Sequence, residues 1–127
     1  MHYLVGTDSI HTTAAICDYL GDRVTPGDTV TTVAVAPPDD PTARRDADEA
    51  LNVAPVRLAA AGDVETERRS GSPATVLLET AGEFDVDEIV IGVHSGDPDA
   101  TRELGSSAQQ VLTDASRPVV VVPIPDL

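Results

Sequence analysis

Short apolar runs alternate with segments of helical periodicity along the whole chain. The strand-like runs cover residues 2–6, 29–36, 64–69, 88–93 and 118–122, and the helix-like segments cover residues 9–20, 41–61, 72–84 and 105–115. Apolar residues at helical spacing predict amphipathic helices, and short β-branched runs predict strands. Strict strand–helix alternation predicts an α/β fold, in which right-handed crossovers place helices on both faces of a parallel sheet.

Capping residues and glycines mark the helix boundaries. Asp40-Pro41 and Ser72-Pro73 each place a capping side chain before a proline at the first helical position. Gly21 and Gly62 follow the last periodic residue of the first two helices. Pro55 lies inside the second pattern and predicts a kink or an interruption there. The positions predicted to be buried are Thr13, Ile16, Cys17, Leu20, Ala43, Ala47, Leu51, Ala54, Leu58, Val76, Leu77, Thr80, Ala81, Phe84, Ala108, Val111, Leu112 and Ala115.

The third and fifth strands carry the features of sheet edges. Residues 64–69 alternate and are polar on one face, which suits an edge. Val119–Val122 reads as a strand buried on both faces, although a chain-terminal strand in this topology lies at an edge. An unpaired apolar edge predicts antiparallel pairing with a second copy, and Pro123 and Pro125 limit further extension. A buried strand covered only by helices is the alternative.

The length of 127 residues fits a single domain, residues 1–127. No run approaches the ~18 apolar residues of a membrane span, and no signal peptide is recognisable at residues 1–6. The only cysteine, Cys17, excludes an internal disulfide. We therefore expect a cytoplasmic protein that does not associate with membranes.

Acidic residues dominate the charge. Twenty-two Asp and Glu face eight basic residues, all of them arginine, for a net charge of −14. A surface rich in aspartate and free of lysine is typical of salt-accumulating halophiles, where the Debye length shrinks to ~3 Å at 1 M salt. An acidic mesophilic protein is the alternative. No basic stripe is available to neutralise phosphates along a polynucleotide, so we expect no nucleic-acid binding.

Candidate chemistry lies where the first and fourth strands end. In doubly wound sheets ligands bind outside the carboxyl ends of the strands, where strand order reverses. If these two strands are neighbours, Gly6-Thr7-Asp8 and Gly92-Val93-His94-Ser95 face each other across one crevice. Asp8 is suited to accept hydrogen bonds from ribose hydroxyls or to hold a metal that bridges phosphates. Alternatively, Asp8 or Ser9 only caps the first helix.

Gly105-Ser106-Ser107 opens the last helix with free backbone N–H groups and hydroxyls, which is how phosphate-binding loops are built. The two serines have no evident base partner, so we expect no nucleophilic catalysis. His2 and His11 lack metal-ligand spacing with Cys17 or with each other. We expect His94 to be an exposed, inert loop residue; the alternative is that it contacts a phosphate. Without lysine the chain cannot form a Walker P-loop.

Together these features resemble the universal stress protein family over nearly the whole chain. The resemblance rests on an aspartate after the first strand, the Gly92-x2-Ser95-x9-Gly105-Ser106 frame, and the ending Arg117–Pro123. It implies a Rossmann-like, five-stranded parallel sheet with order 3-2-1-4-5, similar to the adenine nucleotide alpha hydrolases. It also implies a homodimer and, in one branch, ATP or another adenine nucleotide. The implied site comprises Thr7, Asp8, Val35 (against adenine), Gly92, Ser95, Gly105, Ser106 and Ser107.

The sequence departs from the family pattern at one motif position. Ser95 replaces the second glycine of the motif, and Asp97 and Asp99 follow in the next loop. Serine fits poorly where positive φ or close approach to phosphate is required, whereas Arg102 or Mg²⁺ would offset the acidic charge. The main hypothesis is a dimeric, non-enzymatic stress regulator, in which a bound nucleotide orders the 93–104 loop. The alternatives are a nucleotide-free interaction module and, third, a slow ATPase that uses Asp8 and a metal.

Overall fold

Strands and helices alternate in the predicted order. The structure, a computed structural model, describes residues 1–60, 62–94 and 104–125. The element bounds lie within one residue of the predicted ones, except that α2 ends three residues early. The strands are β1 (His2–Thr7), β2 (Thr29–Val35), β3 (Asp63–Arg69), β4 (Glu88–Gly92) and β5 (Val119–Val122), and the helices are α1 (Ile10–Leu20), α2 (Pro41–Leu58), α3 (Pro73–Phe84) and α4 (Ser106–Asp114).

The five strands form one sheet in the order β3-β2-β1-β4-β5, and all four pairings are parallel. This confirms the predicted fold class and strand order. Because β1 and β4 are neighbours in the centre, their carboxyl ends lie side by side. Register places Gly6 beside Val33 of β2 and Gly92 beside Val122 of β5.

Helices cover both faces of the sheet, and each face has its own apolar core. One core packs the face formed by Tyr3, Val5 and Val90 against α1 and the second half of α2. The other packs Leu4, Ile89 and neighbouring strand residues against α3 and α4. Alternate residues of each strand therefore serve opposite layers, as the two-residue period of a strand requires.

The two edge strands differ in character. β3 pairs with β2 and is exposed or half-buried throughout, as expected for a polar edge. In β5 only Val122 is buried, whereas Val119, Val120 and Val121 are half-buried. The expectation that all four valines are buried on both faces is therefore wrong for a single chain, because an edge strand has a neighbour on one side only.

Helix α2 runs without interruption through Pro55. The expected interruption does not occur, and one reason is visible in the packing. Ala54 and Leu58, on either side of the proline, are buried against α1 and the sheet, which offsets the loss of one backbone hydrogen bond. No helix in the described ranges is both long and apolar enough to cross a membrane.

Most predicted core positions are buried, but some lie at the margin. Leu112 is 44% exposed, so its predicted burial is wrong; it lies on the outer side of the short helix α4. Ala43, Phe84 and Ala115 are only half-buried. Phe84, the last residue of α3, instead stacks on His2 with ring centroids 6.2 Å apart.

Candidate functional site

A cavity of about 400 Å³ opens at the carboxyl ends of the central strands. Its walls come from the ends of β1, β2 and β4, from the first turns of α1 and α4, and from α3. This is the position at which open α/β sheets bind ligands, and the volume lies in the range of small-molecule sites. The described residues that line it are Gly6, Thr7, Asp8, Thr12, Val33, Val35, Pro73, Leu77, Ile91, Gly92, His94, Gly105, Ser106, Ser107, Ala108 and Val111.

Seven of the eight predicted site residues lie on this cavity, although they come from four separate parts of the chain. Their function as ligand-binding residues stays a prediction. The eighth, Ser95, lies outside the described residues, as do Asp97, Asp99 and Arg102 of the following loop. The seven are Thr7, Asp8, Val35, Gly92, Gly105, Ser106 and Ser107.

The turn from β1 into α1 forms one wall of the cavity. We call it the acidic wall; it consists of Thr7, Asp8 and Thr12. Ser9 caps α1, because its hydroxyl oxygen accepts a hydrogen bond from the Thr12 N–H at 3.1 Å. The Thr12 hydroxyl in turn donates to Asp8 Oδ1 at 2.8 Å. The Thr7 and Thr13 hydroxyls lie 2.7 Å apart and fix the turn from inside. The capping role therefore belongs to Ser9, and Asp8 lies on the cavity wall.

The N-terminus of α4 lines the same cavity. Gly105 is its N-cap and supplies no side-chain capping bond; its own N–H donates to the Val93 carbonyl at 2.9 Å. The first N–H groups of a helix have no intrahelical acceptor and carry a partial positive charge. Ser106 and Ser107 add hydroxyls at this end. The arrangement suits a bound anion.

The remaining lining residues are apolar. Val33 and Val35 of β2, Ile91 of β4, Leu77 of α3 and Val111 of α4 all line the cavity. This apolar region is suited to a flat, uncharged ring, whereas Asp8 and the α4 N-terminus are suited to polar groups. The site is therefore amphipathic along its length.

Gly6 leaves room for this apolar wall. A Cβ atom at Gly6 would lie 2.5 Å from Leu77 Cδ1, closer than carbon atoms pack. Any larger residue would have to displace Leu77, which lines the cavity. A side chain at Gly6 would thus shift the Leu77 side chain within the cavity wall.

No group of three or more His, Cys, Asp or Glu side chains in the described part of the chain is placed to hold a metal ion. Cys17 is buried on α1, and burial raises the pKa of its thiol to about 11. The thiol is therefore protonated near neutral pH and is a poor nucleophile.

Comparison with known proteins identifies the family. The model of the universal stress protein family matches residues 1–123. The chain belongs to the universal stress protein family. Among curated proteins a search found no match.

Solved structures with the same fold include several universal stress proteins. The hypothetical protein MJ0577 superposes with a TM-score of 0.81 at 18% identity, over 99% of this chain and 97% of that one. A universal stress protein in complex with cAMP gives 0.70 at 24% identity, over 98% of both chains. The Archaeoglobus fulgidus universal stress protein in complex with dAMP gives 0.70 at 22% identity, over 96% of this chain and 97% of that one. At these identities the similarity establishes the fold.

Within this universal stress protein, the sequence patterns place His94 at the crevice but do not identify Thr12, Pro73 or Leu77 as cavity residues. His94 is half-buried and lines the cavity, so the expectation of an exposed loop histidine is wrong. The contact of Thr12 with Asp8 could have been predicted from the sequence, because residues four apart at the start of a helix lie on the same side. Pro73 and Leu77 carry no such signal, because only the packing of α3 on the sheet brings them to the cavity.

Proposed function

We propose that this universal stress protein binds an adenine nucleotide in the cavity and acts as a regulator rather than an enzyme. The observation that carries the proposal is the convergence of Asp8, Val35 and the α4 N-terminus on one amphipathic cavity. The complexes of two universal stress proteins with cAMP and dAMP support it. The sequence resemblance implies ATP or another adenine nucleotide.

The residues present fit the three parts of such a ligand. Val33, Val35 and Leu77 would contact the adenine ring, and the Asp8 carboxylate would accept hydrogen bonds from the ribose hydroxyls. The backbone N–H groups of the first α4 turn would bind phosphate oxygens. Mg²⁺ usually keeps several waters and binds through substrate phosphates. If Mg²⁺ takes part, we therefore expect it to enter with ATP.

Calorimetric titration of ATP with Mg²⁺, AMP and cAMP, in buffer containing molar KCl, tests the proposal. We expect saturable heat and a rise in melting temperature for at least one nucleotide, because a ligand that binds only the folded state stabilises it. Asp8→Asn should weaken the binding, whereas Asp22→Asn, an exposed residue after α1, should not. Absence of heat and of a thermal shift at millimolar nucleotide would reject nucleotide binding.

A second candidate function is a nucleotide-free interaction module with the same fold. Ser95 in place of the motif glycine favours it, as do Asp97 and Asp99, since they add negative charge to the segment that follows the motif, where a phosphate binder would favour neutral or basic residues. A negative titration would leave this function standing. Phosphate release that is lost in Asp8→Ala would instead indicate the slow ATPase, for which Asp8 is the candidate residue.

We also propose that the protein works in the cytoplasm of an organism that accumulates salt. A single buried cysteine suits a reducing compartment, and a net charge of −14 without lysine suits concentrated salt. Screening should raise the melting temperature as KCl increases from 0.1 M to several molar. Asp22→Asn, Asp46→Asn and Glu65→Gln combined should flatten this dependence. A wild-type melting temperature that does not rise between 0.1 M and several molar KCl would contradict adaptation to concentrated salt.

A further inference from the structure

The segment that follows β5 closes over the outer side of the acidic wall. The Val93 N–H donates to the Val122 carbonyl at 2.9 Å, which holds the end of β5 against the residue after β4. Beyond it, the Pro125 carbonyl lies 2.6 Å from His11 Nε2 on the first turn of α1. The latch segment, Pro123–Pro125, is thus held at one end by β4 and at the other by α1.

Ile124, in the middle of the latch segment, packs directly on the site. A Cβ atom on Gly92 would lie 2.8 Å from Ile124 Cδ1 and 3.2 Å from Thr12 Cγ2. Gly92 and Thr12 line the cavity, whereas Ile124 is not among its described lining residues. Ile124 therefore contacts the wall of the cavity from behind, next to the threonine that hydrogen-bonds to Asp8.

These contacts form a continuous path from the latch segment to the carboxylate. His11 hydrogen-bonds to the Pro125 carbonyl, the Ile124 side chain and the Thr12 methyl group both approach Gly92, and the Thr12 hydroxyl donates to Asp8. The end of β4 carries no side chain at Gly92, so Ile124 fills the space there. Without Ile124, space would open at Gly92 beside the Thr12 methyl group, and the Thr12 rotamer would be less fixed.

We propose that Ile124 and His11 are positioning residues for the nucleotide site, and that the latch segment couples the cavity to the end of β5. The inference rests on the proposed function, because its effect is on nucleotide binding. It goes further in assigning a role to residues that touch no part of the ligand. By reciprocity, a nucleotide that requires the ordered wall must also stabilise the latch segment.

Substitution of the latch residues tests the coupling. Ile124→Ala should weaken binding of ATP with Mg²⁺ by about fivefold or more, the usual lower range for coupled sites. His11→Ala should weaken it to a smaller extent, and Ile124→Leu, which refills the space at Gly92, should restore it. The matched control is Ile10→Ala, since Ile10 also belongs to the first turn of α1 but is 50% exposed. Melting temperatures of all four variants show whether each is folded at the titration temperature.

An NMR measurement separates positioning from general stability. With isoleucine δ1 methyl groups labelled with ¹³C, ATP with Mg²⁺ should shift the Ile124 methyl signal. It should leave in place the signal of Ile16, which is fully buried in the core that Ile124 packs against and is not among the described lining residues of the cavity. In His11→Ala the Ile124 shift should shrink at saturating nucleotide. A purely structural role would lower the melting temperature without this ligand-dependent signal.

The two proposals fail in different ways. If the amides of Gly92 and Gly105 do not respond to ATP with Mg²⁺, to AMP or to cAMP, nucleotide binding is wrong and the latch proposal falls with it. If those amides respond but the Ile124 methyl does not, and Ile124→Ala binds as tightly as the wild type, only the latch proposal is overturned.

Discussion

Two adjacent threonines of β2 differ in what their buried hydroxyls bond to. Thr31 Oγ1 lies 2.7 Å from His2 Nε2, whereas Thr32 Oγ1 is buried without a hydrogen-bond partner in the described structure. A buried hydroxyl without a partner costs free energy, and valine has nearly the same shape. Thr32→Val should therefore raise the free energy of unfolding by about 1 kcal/mol, whereas Thr31→Val should lower it by about the same amount.

Chemical denaturation of both variants at one salt concentration measures the difference. The two residues are neighbours on one strand and both are almost fully buried, so each serves as the control for the other. If Thr32→Val destabilises the protein as much as Thr31→Val, the Thr32 hydroxyl has a partner in solution.

Arg69 on β3 forms ion pairs with two glutamates, and the pair with Glu83 predicts that the free energy of unfolding depends on pH. Its guanidinium donates to Glu83 of α3 at 2.9 Å and to Glu67 at 2.9 Å. The hydrogen bond from Arg69 lowers the pKa of Glu83 below its ordinary value. This contribution is complete above the unfolded pKa of about 4.3 and is lost as pH falls through the lower folded value.

The comparison of wild type with Glu83→Gln between pH 7 and pH 3 tests this sign. The stability difference should be largest near neutral pH and should shrink as the pH falls toward 3. Glu79→Gln, an exposed residue on the same helix, should show no such trend. A difference between wild type and Glu83→Gln that is unchanged at pH 3 would contradict the assignment.

At the scale of elements, the N-terminus of α4 can be tested by placing a negative charge on it. Ser107→Glu puts a carboxylate in the first turn, where it interacts favourably with the helix dipole by about 0.3–1 kcal/mol. The same carboxylate would occupy the place proposed for phosphate. We therefore expect a melting temperature equal to or above that of the wild type, together with at least tenfold weaker nucleotide binding.

Because Ser107→Glu is expected to maintain or raise the melting temperature while it weakens nucleotide binding, loss of binding cannot be explained by loss of stability. Ser116→Glu, beyond the end of α4, is the control and should leave nucleotide affinity unchanged. Ser107→Ala removes the hydroxyl without adding charge and should weaken binding less than Ser107→Glu does. Unchanged affinity in Ser107→Glu would mean that the ligand does not reach α4.

The elements themselves could be predicted from sequence because local signals mark them. Asp40-Pro41 starts α2, and the Asp40 carboxylate accepts a hydrogen bond from the Ala43 N–H at 3.0 Å, as a capping pair requires. The continuity of α2 through Pro55 could not be predicted, since it depends on burial of Ala54 and Leu58 in the tertiary structure. Likewise, the wall from α3 at Leu77 follows from helix packing, which no local pattern encodes.

For the whole molecule, the arginines illustrate what sequence alone leaves open. The composition gives eight arginines for twenty-two acidic residues. It does not predict which helices and strands the arginines connect through ion pairs. In the structure Arg57 of α2 pairs with Asp18 of α1 at 2.9 Å, and Arg117 before β5 pairs with Asp85 after α3 at 3.0 Å. Such exposed pairs contribute little stability individually, and less in salt. The cores on the two faces must therefore supply most of the stability.

The edge of β5 determines how the whole molecule is expected to associate. The N–H groups of Ile89 and Val93 donate to the carbonyls of Pro118 and Val122, so alternate residues of β5 face β4. By the two-residue period, the backbone groups of Val119 and Val121 point away from β4, toward the open edge. We propose that this edge pairs with a second copy, since the half-buried valines of β5 leave apolar surface at the edge.

A proline at one outward-facing position of β5 distinguishes a dimer held by backbone hydrogen bonds from one held by side-chain packing. Val121→Pro removes an N–H that the ladder to β4 does not use, and proline is tolerated on edge strands. We expect this variant to sediment as a monomer at micromolar concentration in molar KCl, whereas the wild type sediments as a dimer. Val121→Ala, which also reduces the side chain but keeps the N–H, should remain a dimer. If both variants dissociate equally, side-chain packing rather than backbone pairing forms the interface, and a monomeric wild type would reject the dimer itself.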